Sequence, residues 1–255
     1  MKSRNWAQRW AGKCAAAAAC VAVAGCNGLP AARSPAIVPD DTAAAQRLAQ
    51  IYRELAARAP EQTFALDPTA SHIRIYVFRG GAAATSGHNH VLSVPDFEGY
   101  AYVPEHDVTT GRFDLRLRLD QLSVDDPEAR RQAGGAYAAA LDDDAIGDTR
   151  AHMLGPRNLD AARYPYVTLR VRRVSGELPR LVAAVSVQLH GVQRELLLPL
   201  RVAVVARELQ VGGTFALRQS DFGITPYSIL GGLLAVRDEI SIEFDLRGRP
   251  FRSTH

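Results

Sequence analysis

From residue 62 onward, apolar and polar residues alternate with a period of two. That pattern limits the chain to strands with one face in a core and one in water. Ile73, Ile75 and Val77 alternate with His72, Arg74 and Tyr76. Phe113, Leu115, Leu117 and Leu119 alternate with Arg112, Asp114, Arg116 and Arg118. The same holds for Val167, Leu169 and Val171, and again for Ile240, Ile242, Phe244 and Leu246. Strands of this kind favour antiparallel sheets. Between Leu181 and Ala206 both faces read as apolar, which predicts covered strands, with Gly191 as a turn and Pro199 as an edge or bulge. The runs amount to eight to ten strands. Long alternating strands must close or pair to hide their edges. The expected fold is mainly β, a single antiparallel β-barrel of about eight strands. A barrel of that size is either filled by side chains or holds one small ligand.

Residues 125–165 break the alternation with Pro127, Gly134, Gly135, an alanine cluster and Asp142, Asp143 and Asp144. They predict a short helical insertion with irregular turns. The acidic triplet reads as a solvated helix end, because no regular spacing of oxygen ligands follows it. Upstream, Asp40, Asp41 and Thr42 can cap a helix whose narrow apolar stripe is Leu48, Ile51 and Leu55, ending at Pro60. Residues 27–61 are thus expected to be a tether and short helix, 62–250 the barrel domain and 251–255 a tail.

The N-terminus has the form of a targeting segment. Lys2, Arg4, Arg9 and Lys13 precede or flank an apolar run, Cys14 to Ala24, that is too short to span a bilayer stably. Val23-Ala24-Gly25-Cys26 resembles a bacterial lipobox, in which Cys26 accepts a diacylglycerol and becomes the new N-terminus. An ordinary secretory signal is the competing reading. All three cysteines, Cys14, Cys20 and Cys26, lie in this segment, so residues 27–255 hold neither a disulfide pair nor a thiol catalyst. The formal charge of +3 includes those four basic residues, and subtracting them leaves −1. The basic balance that nucleic-acid binding would require is gone. The expected location is the bacterial cell envelope, anchored to a membrane through Cys26 and facing the periplasm. Asn27, in the position where some bacteria read aspartate as an inner-membrane signal, favours the outer membrane.

Several motifs occur together and in order. They are Phe64 to Ile73 with its Asp67-Pro68 pair, Leu159-Asp160-Ala161-Ala162-Arg163-Tyr164-Pro165, and Leu189-His190-Gly191-Val192. Ser220-Asp221-Phe222-Gly223 and the final run Val236 to Ile242 complete the set. In this combination the chain resembles the YceI-like family of periplasmic polyisoprenoid-binding proteins. The resemblance implies an extended, lipocalin-like barrel with an elongated apolar tunnel. It also implies a long isoprenoid or similar amphiphile as ligand, such as a quinone or a fatty amide, and no catalytic residues.

The candidate tunnel-lining residues are Ile75, Val77, Phe113, Leu117, Val185, Val187, Phe215 and Phe222, each of which could equally be ordinary core. Tyr227 to Leu234 is apolar but flanked by turn residues, and reads either as a lip over the tunnel mouth or as a strand with a glycine bulge. The most chemically pointed spot is Gly87-His88-Asn89-His90, which departs from the family pattern. If residues 87–93 form a strand, His88 and His90 share a face about 7 Å apart. With His152 or His106 as a third ligand they could hold copper, zinc or iron. They could instead contact a quinone head group, or be ordinary polar residues. A metal-binding or redox-linked role is therefore the alternative to lipid binding. No nucleophile elbow, acid–base pair or phosphate loop is present, so no enzyme is expected. The sequence leaves a homodimer open.

Overall fold

The computed structural model describes residues 42–252. The leader, Cys26 and the segment 27–39 lie outside them. Among the described residues there are twelve strands. They are β1 (Thr63–Leu66), β2 (His72–Gly80), β3 (His90–Ser93), β4 (Glu98–Tyr102), β5 (Arg112–Arg118) and β6 (Ser123–Val124), followed by β7 (Tyr166–Glu177), β8 (Arg180–Leu189), β9 (Val192–Val205), β10 (Glu208–Arg218), β11 (Ser228–Ile229) and β12 (Leu234–Pro250). Three helices accompany them: α1 (Thr42–Arg58), α2 (Pro127–Ala133) and α3 (Asp143–Leu154).

The strands form one closed antiparallel barrel of eight staves, in the order β1-β4-β5-β7-β8-β9-β10-β12, with β12 returning to β1. The four strands beyond eight arise because three staves are broken, giving β2, β3 and β6, and because the short β11 pairs with β12 off the barrel path. β1 and β2 follow one another along the same edge of β12, bent at the Asp67-Pro68 turn. There Asp67 caps a 3-10 turn by accepting from the Thr69 N–H. β3 and β4 break similarly, and β6 pairs only with β3.

Local chemistry explains the joints. β8 and β9 are connected by His190 and Gly191, both at positive φ (52° and 74°), as a two-residue hairpin turn that matches the sheet twist requires. Pro199 lies inside β9, yet its edge position is real. The β9–β10 ladder ends at Arg201 opposite Gly212, so beyond it residues 192–200 pair with β8 alone. A proline has no N–H to continue that second ladder.

The expectation of two covered faces holds for the middle of β8, where Ala183, Ala184, Val185, Ser186 and Val187 are all buried, but not at Val182, which is 42 % exposed. It fails for β9, where Leu197 is 68 % exposed on the outer face. In the insertion, Asp142 caps α3 by accepting from the Ala145 N–H, as expected of a solvated helix end.

α1 docks on the outside of the barrel, but not by the expected stripe. Leu48, Ile51 and Leu55 are only half-buried, and the buried residues are Tyr52 and Ala56. The Tyr52 ring stacks on Tyr100 of β4 with centroids 5.1 Å apart. A mixed aromatic and polar contact decides the docking face, so counting aliphatic positions misplaces it by one residue.

Candidate functional site

Alternation sends one side-chain set of every stave inward, and these sets do not fill the barrel. They enclose a cavity of about 590 Å³ with an overwhelmingly aliphatic and aromatic wall. Seven of the eight residues expected to line it do so: Ile75, Val77, Phe113, Leu117, Val185, Val187 and Phe215. Phe222 does not. It has no exposure and packs with Val187, Leu189, Leu198 and Ile224, in the cluster shared by β8, β9 and the turn after β10. Its motif ends in Gly223 at φ 72°, a left-handed cap that turns the chain back onto this seam. Other lining residues share strand parity with the expected ones, such as Leu115 with Phe113, Ile73 with Ile75 and Val211 with Phe215, and were legible on that ground.

The polar lining concentrates at one end, where β2 finishes and β12 begins. α3 contributes Asp148, Thr149 and His152 there, and Asn158, Gln219, Tyr227 and His90 complete it. The His152 ring lies 4.9 Å from Tyr227, and its Nδ1 hydrogen-bonds to the Asp148 carbonyl. These helix-borne groups carry no period-two signal, which is why alternation did not reveal them. At the other end, Tyr102 and Arg112 are the polar lining, and Arg112 Nε donates to Asp114 at 3.1 Å.

His90, Leu92 and Val94 line the cavity from alternate positions. Val91 between them is buried outward against Ala129 and Tyr137, beneath α2. His90 Nδ1 lies 2.6 Å from Asp125 Oδ2, and Asp125 has no exposure. Arg130 of α2 donates through Nη1 to Asp125 Oδ1 at 2.5 Å and to the Asn89 carbonyl at 3.0 Å. The Val91 N–H also donates to Oδ1. Burial alone would raise the Asp125 carboxyl, but the bonds from His90, Val91 and Arg130 hold it below the ordinary carboxylate range. Asp125 takes a left-handed backbone, φ 52°, to reach these partners.

The strand over residues 87–93 on which a His88–His90 chelate depended is not formed. β3 begins only at His90, and the Asn89 side chain is buried, accepting from the Arg79 N–H at 2.9 Å. His88 stands exposed outside the strand. Among the described residues no group of three or more His, Cys, Asp or Glu is placed to hold a metal ion, so His88, His90, His106 and His152 do not assemble as a ligand set.

Beside the polar end, Tyr227, Ile229, Leu230 and Leu233 are exposed, Leu230 by 71 %. Of the two readings the sequence offered, a strand interrupted by glycines is what is seen. Its first part pairs with β12 as β11, and its second is a glycine turn with Leu230, Gly231 and Gly232 at positive φ. Tyr227 connects it to the cavity wall.

Residues 64–247 match the model of the YceI-like domain family. Among solved structures, the chain is similar to BcnA of Burkholderia cenocepacia at 12 % identity and a TM-score of 0.54, covering 71 % of this chain and 98 % of that one. It is also similar to a polyisoprenoid binding domain from Saccharophagus degradans implicated in plant cell wall breakdown, at 14 % identity and a TM-score of 0.50, covering 74 % and 98 %. At these identities the likeness shows a common fold. No curated protein matches the sequence significantly.

Proposed function

The chain belongs to the YceI-like domain family, and from that premise we propose that it is a non-enzymatic binder of a long-chain isoprenoid or similar amphiphilic lipid. The observation that carries this is the open aliphatic cavity of about 590 Å³ inside the barrel. A packed core would leave no such space, and the volume falls within the usual range of ligand pockets. Each buried CH₂ of a guest contributes about 0.8 kcal/mol, so a long chain binds without any strong polar contact. The Saccharophagus degradans structure, described as a polyisoprenoid binding domain, supports the ligand class.

The same proposal gives the protein a place. Acylation at Cys26 would anchor it to the bacterial envelope, facing the periplasm, where lipid exchange with a membrane is possible over a short distance. Native mass spectrometry of the purified protein, with extraction and identification of its lipid, tests the binding. An associated prenyl-type or fatty amphiphile is expected. A protein that carries none, and takes up none at micromolar concentration, would refute the reading. Metabolic labelling with a radioactive fatty acid, lost in Cys26→Ser, tests the anchor.

A further inference from the structure

The His90–Asp125–Arg130 array goes beyond what an apolar tunnel requires. A hydrocarbon chain needs no buried ion pair in its wall, and a buried Arg–Asp pair is weak ground for stability by itself. What the array does is fix one imidazole. Asp125 is held by Arg130 and the Val91 N–H, has no exposure, and presents its second oxygen to His90 Nδ1. A carboxylate only accepts, so in the neutral ring Nδ1 carries the proton and Nε2 is left as an acceptor. Among the described residues no protein group hydrogen-bonds to Nε2. The ring is partly exposed, 19 %, in the wall of the cavity.

The charges around it restrict what it can meet. Among the described residues no Lys or Arg lines this end. The guanidinium in the lining, Arg112, belongs to the opposite end and is engaged by Asp114. Both lysines of the chain, Lys2 and Lys13, lie outside the described residues. A phosphorylated head group held in this lining would have no lining cation to neutralise it.

We propose that His90 is the head-group contact of the tunnel, and that it selects lipids with an uncharged hydrogen-donating head, an alcohol, a quinol or an amide, over phosphorylated ones. This rests on the lipid-binding reading above. Asp125 and Arg130 are positioning residues that set the tautomer and aim of the ring. They act as the outer partners of a working histidine do elsewhere.

The test is competitive binding at pH 8 with three probes delivered from cyclodextrin: geranylgeraniol, its diphosphate, and the head-less hydrocarbon of the same carbon skeleton. The wild-type protein is expected to prefer the alcohol by about tenfold over each of the others, the scale of one net hydrogen bond. His90→Asn keeps a side-chain N–H for Asp125 and removes the tunnel-side nitrogen. It should abolish the preference, read as the ratio of alcohol to hydrocarbon affinity within the same variant. His90→Gln, which retains an amide at the tunnel side, should recover part of it. Equal wild-type binding of alcohol and hydrocarbon, tighter binding of the diphosphate, or a preference that survives His90→Asn would overturn the assignment while leaving the tunnel reading intact. Failure of all three probes to bind would overturn both.

Discussion

Tyr52 Oη donates to Asp114 Oδ2 at 2.9 Å, with both groups buried, and this bond fastens α1 to the outer face of β5. Asp114 also accepts from Arg112 and from Arg170 of β7. Burial, and then the Asp114 charge, push the Tyr52 phenol well above its ordinary range, so it stays a donor at any physiological pH. Tyr52→Phe removes one bond to a charged group and should cost about 1.5–3 kcal/mol. Tyr52→Ala also loses the stack on Tyr100 and should cost about 3–5 kcal/mol. Urea denaturation measures both, and equal losses in the two variants would show that the hydroxyl, not the ring, carries the contact.

Asp125 makes stability depend on acidity. Its folded-state pKa lies below the ordinary value near 3.9, so its contribution is fully present above that value and is lost as the pH falls through the folded-state pKa. Other carboxylates shift the same way, so the comparison must be against a variant. Asp125→Asn tolerates the left-handed backbone but leaves Arg130 buried without its counter-charge. It should lose about 3–5 kcal/mol at pH 7. Urea midpoints from pH 7 to pH 3 should show the gap between wild type and variant narrowing below about pH 4. A constant gap would mean that the carboxylate is not depressed.

Filling the tunnel should separate binding from folding. Val185 projects into the cavity from β8, and Val185→Phe adds bulk where there is space rather than packed atoms. Stability should change by less than about 1 kcal/mol, below the usual cost of overpacking a dense core. Affinity for a prenyl probe should fall at least tenfold. Unchanged affinity would place the ligand outside the barrel.

The β8–β9 turn allows a stringent check. A Cβ on Gly191 would lie 2.6 Å from the Tyr164 ring, and the residue sits at φ 74°. Gly191→Ala therefore combines a left-handed penalty of about 1–2 kcal/mol with displacement of the ring that packs on His190. A thermal midpoint lower by several degrees is expected, and an unchanged midpoint would show that the turn relaxes freely.

The barrel and most of its lining were legible because strand parity is a local property. Ile75 and Phe215 announce their face by the polar residues beside them. What escaped depends on contacts between distant segments. Asp114 sits at an outward, polar position of its strand, yet it is 97 % buried because α1 covers it, and nothing near residue 114 encodes that cover. The docking face of α1 was misread for the same reason. His90 was singled out for its neighbour His88, whereas its partner is Asp125, 35 residues away. Asp148 and His152 line the cavity from a helix with no clear apolar stripe, so no periodicity marks them.

β12 bonds to β10 along one edge and to β2 and then β1 along the other, and each of those strands precedes it in the chain. Until β12 is in place, β10 and the β1–β2 stave are both unpaired edges, and the aliphatic interior is open to water. Closure must therefore bring together residues as far apart as Phe64 and Pro250, an encounter of high contact order and thus slow. During that interval the nascent protein exposes unpaired sheet margins and the residues that will line its cavity.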